Sequence, residues 1–140
     1  MRLARQIKRN QLAIISLIVA LTALGYNTWR NELTESNRTI RQAGFNMLVH
    51  IGELQRITYL AHYDNDKDGG NPRKGWAEVL LLKDLATLIP GEVHTSANEL
   101  LQAWDQNWAR LGSEEAAVKS IDDALDRLRD DLLLTLAELD

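Results

Sequence analysis

The sequence predicts an all-α protein: an N-terminal transmembrane helix continuing into an antiparallel helical bundle of about four helices. Three observations carry this. No charged residue falls between Arg9 and Arg30, so an uncharged and largely apolar stretch opens the chain. The 140 residues include only two prolines, Pro72 and Pro90, which leaves long segments free of the residue that breaks helices. Downstream, apolar residues recur in steps of three and four, the spacing of one helix face.

The first element occupies residues 11–29. Leu12 to Trp29 is eighteen residues, and as a helix these span roughly 27 Å, close to the thickness of a hydrocarbon core. Tyr26 and Trp29 close the stretch with rings suited to the headgroup layer. A basic cluster, Arg2, Arg5, Lys8 and Arg9, precedes it. The bias of positive residues toward the cytoplasm then makes residues 1–10 a short basic cytoplasmic tail, residues 11–29 a signal-anchor helix, and residues 30–140 an exported bundle domain. The expected location is the inner membrane, single-pass, with the N-terminus in the cytoplasm and the C-terminal domain in the periplasm or outside. The rival reading is a cleaved signal peptide, for which Ala23 and Gly25 supply small residues at a suitable spacing. Against it, the helical pattern runs through Trp29 and Leu33 without a break. Ala13, Ser16, Ala20 and Ala23 offer a small-residue face for a lateral helix partner.

The next segment, from about Asn27 to His62, carries Leu33, Asn37, Ile40, Gly44, Met47, Ile51 and Leu54 in alternating steps of four and three, a bundle seam. It is expected to continue directly from the membrane helix. The second helix, Trp76 to Ile89, is apolar on more than one face, which calls for burial all round. The third is expected to start at Ser96, where Ser96 to Glu99 has the form of a capping box. Its stripe is Leu100, Leu101, Trp104, Trp108 and Leu111, and Gly112 ends it. The fourth opens with Ser113 as cap and with Glu114 and Glu115 at the positive end of the helix dipole. Val118, Ile121, Leu125, Leu128, Leu132 and Leu139 form its core stripe, with a solvated charged face that includes an expected Asp123–Arg127 pair. Short connections imply antiparallel neighbours.

After residue 26 the chain holds 12 Lys/Arg against 20 Asp/Glu, a formal charge of −8 on the exported part. That sign argues against nucleic acid, which selects basic surfaces. With no cysteine, disulfides, thiolate metal sites and thiol nucleophiles are excluded.

Two constellations could carry function. Between the first two helices, Asp64, Asp66, Asp68 and Gly69 resemble the Asp-x-Asp-x-Asp-Gly opening of calcium loops such as the EF-hand, in which alternating carboxylates converge on one ion. The resemblance covers six residues. Gly75 stands where the closing bidentate Glu belongs, Pro72 occupies position nine, and Arg73 and Lys74 add positive charge. It implies at most a weak Ca2+ site, with the bland alternative an acidic interhelical turn. Trp104 and Trp108 lie one turn apart, with Trp76 opening the preceding helix. Such a trio lines a small-molecule pocket, anchors a partner, or fills the core. Signatures of zinc proteases, di-iron bundles, serine hydrolases, phosphate loops and dinucleotide folds are absent.

The sequence therefore points to a non-enzymatic, single-pass membrane protein with no cofactor beyond the weak Ca2+ candidate. Its exported bundle would act as a ligand-sensing or protein-interaction module, an accessory or adaptor with a protein partner or a homo-oligomer. In architecture this is similar to the sensory bundles of bacterial chemoreceptors and histidine kinases. The alternatives are a calcium-responsive exported module using the Asp64 to Gly69 loop, or a secreted bundle after cleavage.

Overall fold

The structure is a computed structural model that describes residues 10–139, so the basic cluster of Arg2, Arg5, Lys8 and Arg9 lies outside the described residues. Its element order is α1 (Gln11–His62), α2 (Pro72–Ala86), α3 (Val93–Asn107), a 3-10 turn (Trp108–Arg110) and α4 (Glu115–Ala137). Among the described residues there is no strand. The chain divides into two compact units, one ending at Ser36 and one starting at Asn37.

In the first unit every residue from Gln11 to Ser36 is exposed. An eighteen-residue window here has mean hydropathy 1.7, at most two charged residues and no burial, so the helix is long and apolar enough to cross a membrane. The hydroxyls of Thr22 and Thr28 donate to the carbonyls of Ile18 and Leu24 at 2.8 and 3.0 Å. These two hydroxyls are thus satisfied by their own helix, the arrangement that an apolar solvent demands. Tyr26 and Trp29 lie together, ring centroids 6.2 Å apart.

The second unit is a bundle of four helices. Met47, Ile51 and Leu54 of α1, Val79 and Leu82 of α2, Leu100 and Trp104 of α3, and Ile121, Leu125, Leu128 and Leu132 of α4 are wholly buried. These are the residues that the three–four spacing marks. The seam of α1 starts later than expected, however: Leu33 is exposed and Asn37 and Ile40 are half-buried, while Ala43 and Gly44 begin the buried run.

Three helix starts correct the sequence reading. α2 begins at Pro72, not Trp76, because Asn71 caps it: its Oδ1 accepts the Arg73 N–H at 3.0 Å, and Pro72 fills the first turn, where no N–H is needed. α3 begins at Val93, so Ser96 lies inside the helix and the expected capping box does not form. The Ser96 hydroxyl instead donates across the bundle to the Asp131 carboxylate, and Glu99 pairs with Arg127 at 3.3 Å. Ser113 is not the cap of α4; its hydroxyl donates to the Arg110 carbonyl, and Glu114 takes the cap position without a side-chain bond. The expected Asp123–Arg127 pair is replaced by Lys119–Asp123 at 3.2 Å, which leaves Arg127 for Glu99. Leu139 lies beyond the end of α4, and Leu136 takes its place against the core.

The turn from α2 to α3 requires Gly91, whose φ of +85° is a conformation that side chains resist. On α2 the burial expected all round is met on one side only. Leu80 and Leu81 remain exposed, as does Leu88 in the turn that follows the helix.

Candidate functional site

The three tryptophans fall into two environments. Trp104 is wholly buried and is the largest side chain of the core. Its indole lies against Gly75 in the first turn of α2, in the space that a Cβ there would fill. The Trp104 Nε1 is buried with no hydrogen-bond partner among the described residues, an uncompensated donor inside the bundle. Trp76 and Trp108 are half-buried and meet edge to face, centroids 6.4 Å apart with planes at 70°. Trp76 projects from α2 and Trp108 from the 3-10 turn after α3, so the pair bridges the two elements over the core. Trp104 is therefore packing, while Trp76 and Trp108 present indole edges at the surface.

The loop between α1 and α2 folds on its own backbone. Asp66 Oδ1 accepts the N–H groups of Asp68 at 3.0 Å and Gly69 at 2.9 Å. These two bonds hold the Asp66 carboxyl below the usual aspartate range. Asp68 faces Lys74 Nζ at 3.1 Å. Asn65 takes the left-handed conformation, φ 48°, that Asn tolerates in tight turns. Gly70 is obligatory, because a Cβ there would collide with the α1 backbone at Leu60 and Ala61. The expected convergence of Asp64, Asp66 and Asp68 does not occur. No group of three or more acidic or histidine side chains that could hold a metal is found among the described residues. The physical reason is competition: Asp66 spends its oxygen on its own turn, and Asp68 has a cation beside it. An open pocket of about 320 Å³ lies beside this loop, between Ala61, Asn65, Asn71 and Gly112.

The histidines are spent singly. His50 Nδ1 lies 2.7 Å from Glu78 and ties α1 to α2. His62 Nδ1 donates to the Leu111 carbonyl at 2.8 Å, and His94 meets Asn98 at 3.3 Å.

Sequence reasoning missed a polar cluster between α1 and α4. Tyr59, Gln55 and Asp122 interact there; the Gln55 amide N–H donates to the Tyr59 hydroxyl at 3.2 Å, and Arg129 Nη2 donates to Gln55 Oε1 at 2.9 Å. Asp122 Oδ1 is buried without a partner, and burial pushes this carboxyl up, with Asp126 and Asp123 adding repulsion and Tyr59 opposing it by a hydrogen bond. The Tyr59 hydroxyl is raised by burial and by the nearby Asp122 charge. The only sequence signal was position: Asp122 directly follows core Ile121, which places it at the border of the buried face.

Comparison with protein-family models, with curated proteins and with solved structures found no match. The features left for function are the apolar exposed helix of the first unit and the apolar edges of the bundle.

Proposed function

We propose that this chain is a non-enzymatic, single-pass membrane protein whose exported helical bundle serves as a protein-interaction or ligand-sensing module, an accessory or adaptor. One observation carries the reading. Residues 11–29 form a helix in which Leu12, Ile15, Leu17, Ile18, Val19, Leu21 and Leu24 are each more than half exposed and Ile14 is exposed as well. In water such a surface is strongly unfavourable, at about 25 cal/mol per Å² of apolar area, and in a bilayer it is at home. A basic flank before it and an acidic domain after it fit an N-terminus in the cytoplasm and a bundle in the periplasm or outside. The interaction role is supported by the exposed leucines of α2 and by the Trp76–Trp108 pair, apolar edges of the kind that interfaces use.

The test is extraction of native membranes with alkaline carbonate, followed by a mass measurement. Retention of the chain in the pellet at its full 140-residue mass is the expected result. Release into the supernatant overturns the anchor, and a retained or released species lacking the first residues up to Gly25 establishes cleavage instead.

A further inference from the structure

We propose that the Asp68–Gly69 bond is a site of spontaneous isoaspartate formation, that Asp66 guards it in the folded chain, and that the rearrangement unfastens the joint between α1 and α2.

The reaction is an internal ring closure. The Gly69 amide nitrogen loses its proton and attacks Asp68 Cγ, and the carboxyl gives up one oxygen as water. The succinimide then takes up a water at either carbonyl. One product restores aspartate; in the other the main chain runs through Cβ and Cγ, and a free carboxylate is left on Cα. One water leaves and one enters, so no oxidant, reductant or co-reactant is required.

Three observations place the reaction at this bond. Asp68 precedes a glycine, and no other Asp or Asn in the chain does. Glycine leaves the nitrogen unhindered and the backbone free to turn into the ring. Asp64 and Asp66 are followed by Asn65 and Lys67, which carry side chains, and the aspartates of α2, α3 and α4 are followed by amides already bonded in a helical ladder. The Asp68 side chain is 98% exposed, so water reaches the carboxyl and the ring that it forms.

The fold restrains both reacting groups. The Gly69 N–H donates to Asp66 Oδ1 at 2.9 Å, which holds the proton that must leave and aims the nitrogen at Asp66. The Asp68 N–H shares this acceptor at 3.0 Å. On the other side, Asp68 Oδ1 lies 3.1 Å from Lys74 Nζ on α2. The Gly70 N–H braces the turn on the Asp66 carbonyl at 2.9 Å. Ring closure therefore needs a local opening that breaks the Asp66 bond.

The product does not fit the joint. Isoaspartate adds one carbon to the main chain just before Gly69 and Gly70, where the α1 backbone at Leu60 and Ala61 leaves no room even for a Cβ. The Asp68 carbonyl, which accepts the Asn71 N–H at 3.4 Å, becomes the free carboxylate, and Asn71 is the cap that starts α2.

The test incubates the full chain in mild detergent at neutral pH in water enriched in heavy oxygen, because each passage through the ring leaves a solvent oxygen on residue 68. Mass spectrometry of the digest, with fragmentation that tells isoaspartate from aspartate, reads position and linkage. In the native chain, label and isoaspartate are expected at Asp68 ahead of every other aspartate, and another aspartate labelled as fast overturns the site. Asp66→Ala is expected to raise the rate about fivefold with the helical circular dichroism unchanged, while Asp66→Asn, which keeps an oxygen acceptor, stays near the native rate. An unchanged rate in Asp66→Ala overturns the guard. Denaturing urea makes the same comparison without a variant: the unfolded native chain is expected to label about tenfold faster than the folded one, and equal rates overturn the guard. The separated isoaspartate form is expected to melt below the native chain, and an equal Tm overturns the effect on the joint.

Discussion

The Trp104 indole sits in the space of a side chain that Gly75 lacks, so the first turn of α2 and the last turn of α3 approach as closely as backbone and ring allow. This contact fixes the spacing of two helices and explains why a glycine occurs inside a helix, where it is otherwise unfavourable. Gly75→Ala is expected to lower stability by about 2–3 kcal/mol, since ring and backbone are both confined. Urea denaturation followed by Trp fluorescence measures it, and a loss under ~0.5 kcal/mol would show that the indole moves aside freely.

Gly52 supplies the opposite case. It lies inside α1 with nothing near the position of a Cβ, so only the helix-propensity term applies. Gly52→Ala is expected to stabilise the bundle by about 0.5–1 kcal/mol. A thermal melt of the two proteins checks the contrast with Gly75.

How much of this was readable beforehand follows from what each residue answers to. Met47, Ile51, Leu54, Val118, Ile121 and Leu125 were legible because burial repeats with the helical period, and that repeat is a property of the sequence itself. Ser96 and Ser113 were misplaced as caps because a cap motif states only a local option. Val93 started α3 earlier, and Asp131 on another helix took the Ser96 hydroxyl. The aspartates of the loop matched a ligand spacing, yet spacing does not reveal that Asp66 bonds to its own turn. The exposure of Leu81 and Leu88 was likewise invisible, because an apolar residue does not say which of two faces its own chain will cover.

Asp122 gives the bundle a pH signature. Burial raises its folded pKa above the unfolded value, so the folded state holds its proton more tightly and this group's contribution worsens as pH rises through the folded pKa. Asp122→Asn removes the charge and is expected to stabilise the protein at pH 7 by about 0.5 kcal/mol, kept small by the solvent that reaches the group. The gain should shrink as pH falls through the folded pKa and vanish below about pH 3, where the aspartate is neutral in both states. Asp66 and Glu53 act in the other direction. Their folded pKa values are lowered by the Gly69 and Asp68 N–H groups and by Arg56, so their contribution is present above the unfolded values and is lost as pH falls through the folded ones. Denaturation midpoints from pH 7 to pH 3 for the native chain and Asp122→Asn read both signs.

The 63–71 loop is expected to be stabilised by its own turn and not by an ion. Asp66→Ala removes the acceptor for two backbone N–H groups and should lower the melting temperature of the bundle. Calcium at several times its ordinary extracellular level, about millimolar, should leave the fluorescence of Trp76 and Trp108 and the melting temperature unchanged. A saturable shift in either would restore the carboxylates to a ligand role.

The most direct test of the whole account is the side of the membrane on which the bundle lies. A single cysteine at Asp123, exposed on α4, is the only thiol in the chain once introduced. Intact bacterial host cells made permeable only at the outer membrane are treated with a membrane-impermeant maleimide. Full labelling of Asp123→Cys is expected before the inner membrane is broken. Labelling that appears only after lysis would contradict it.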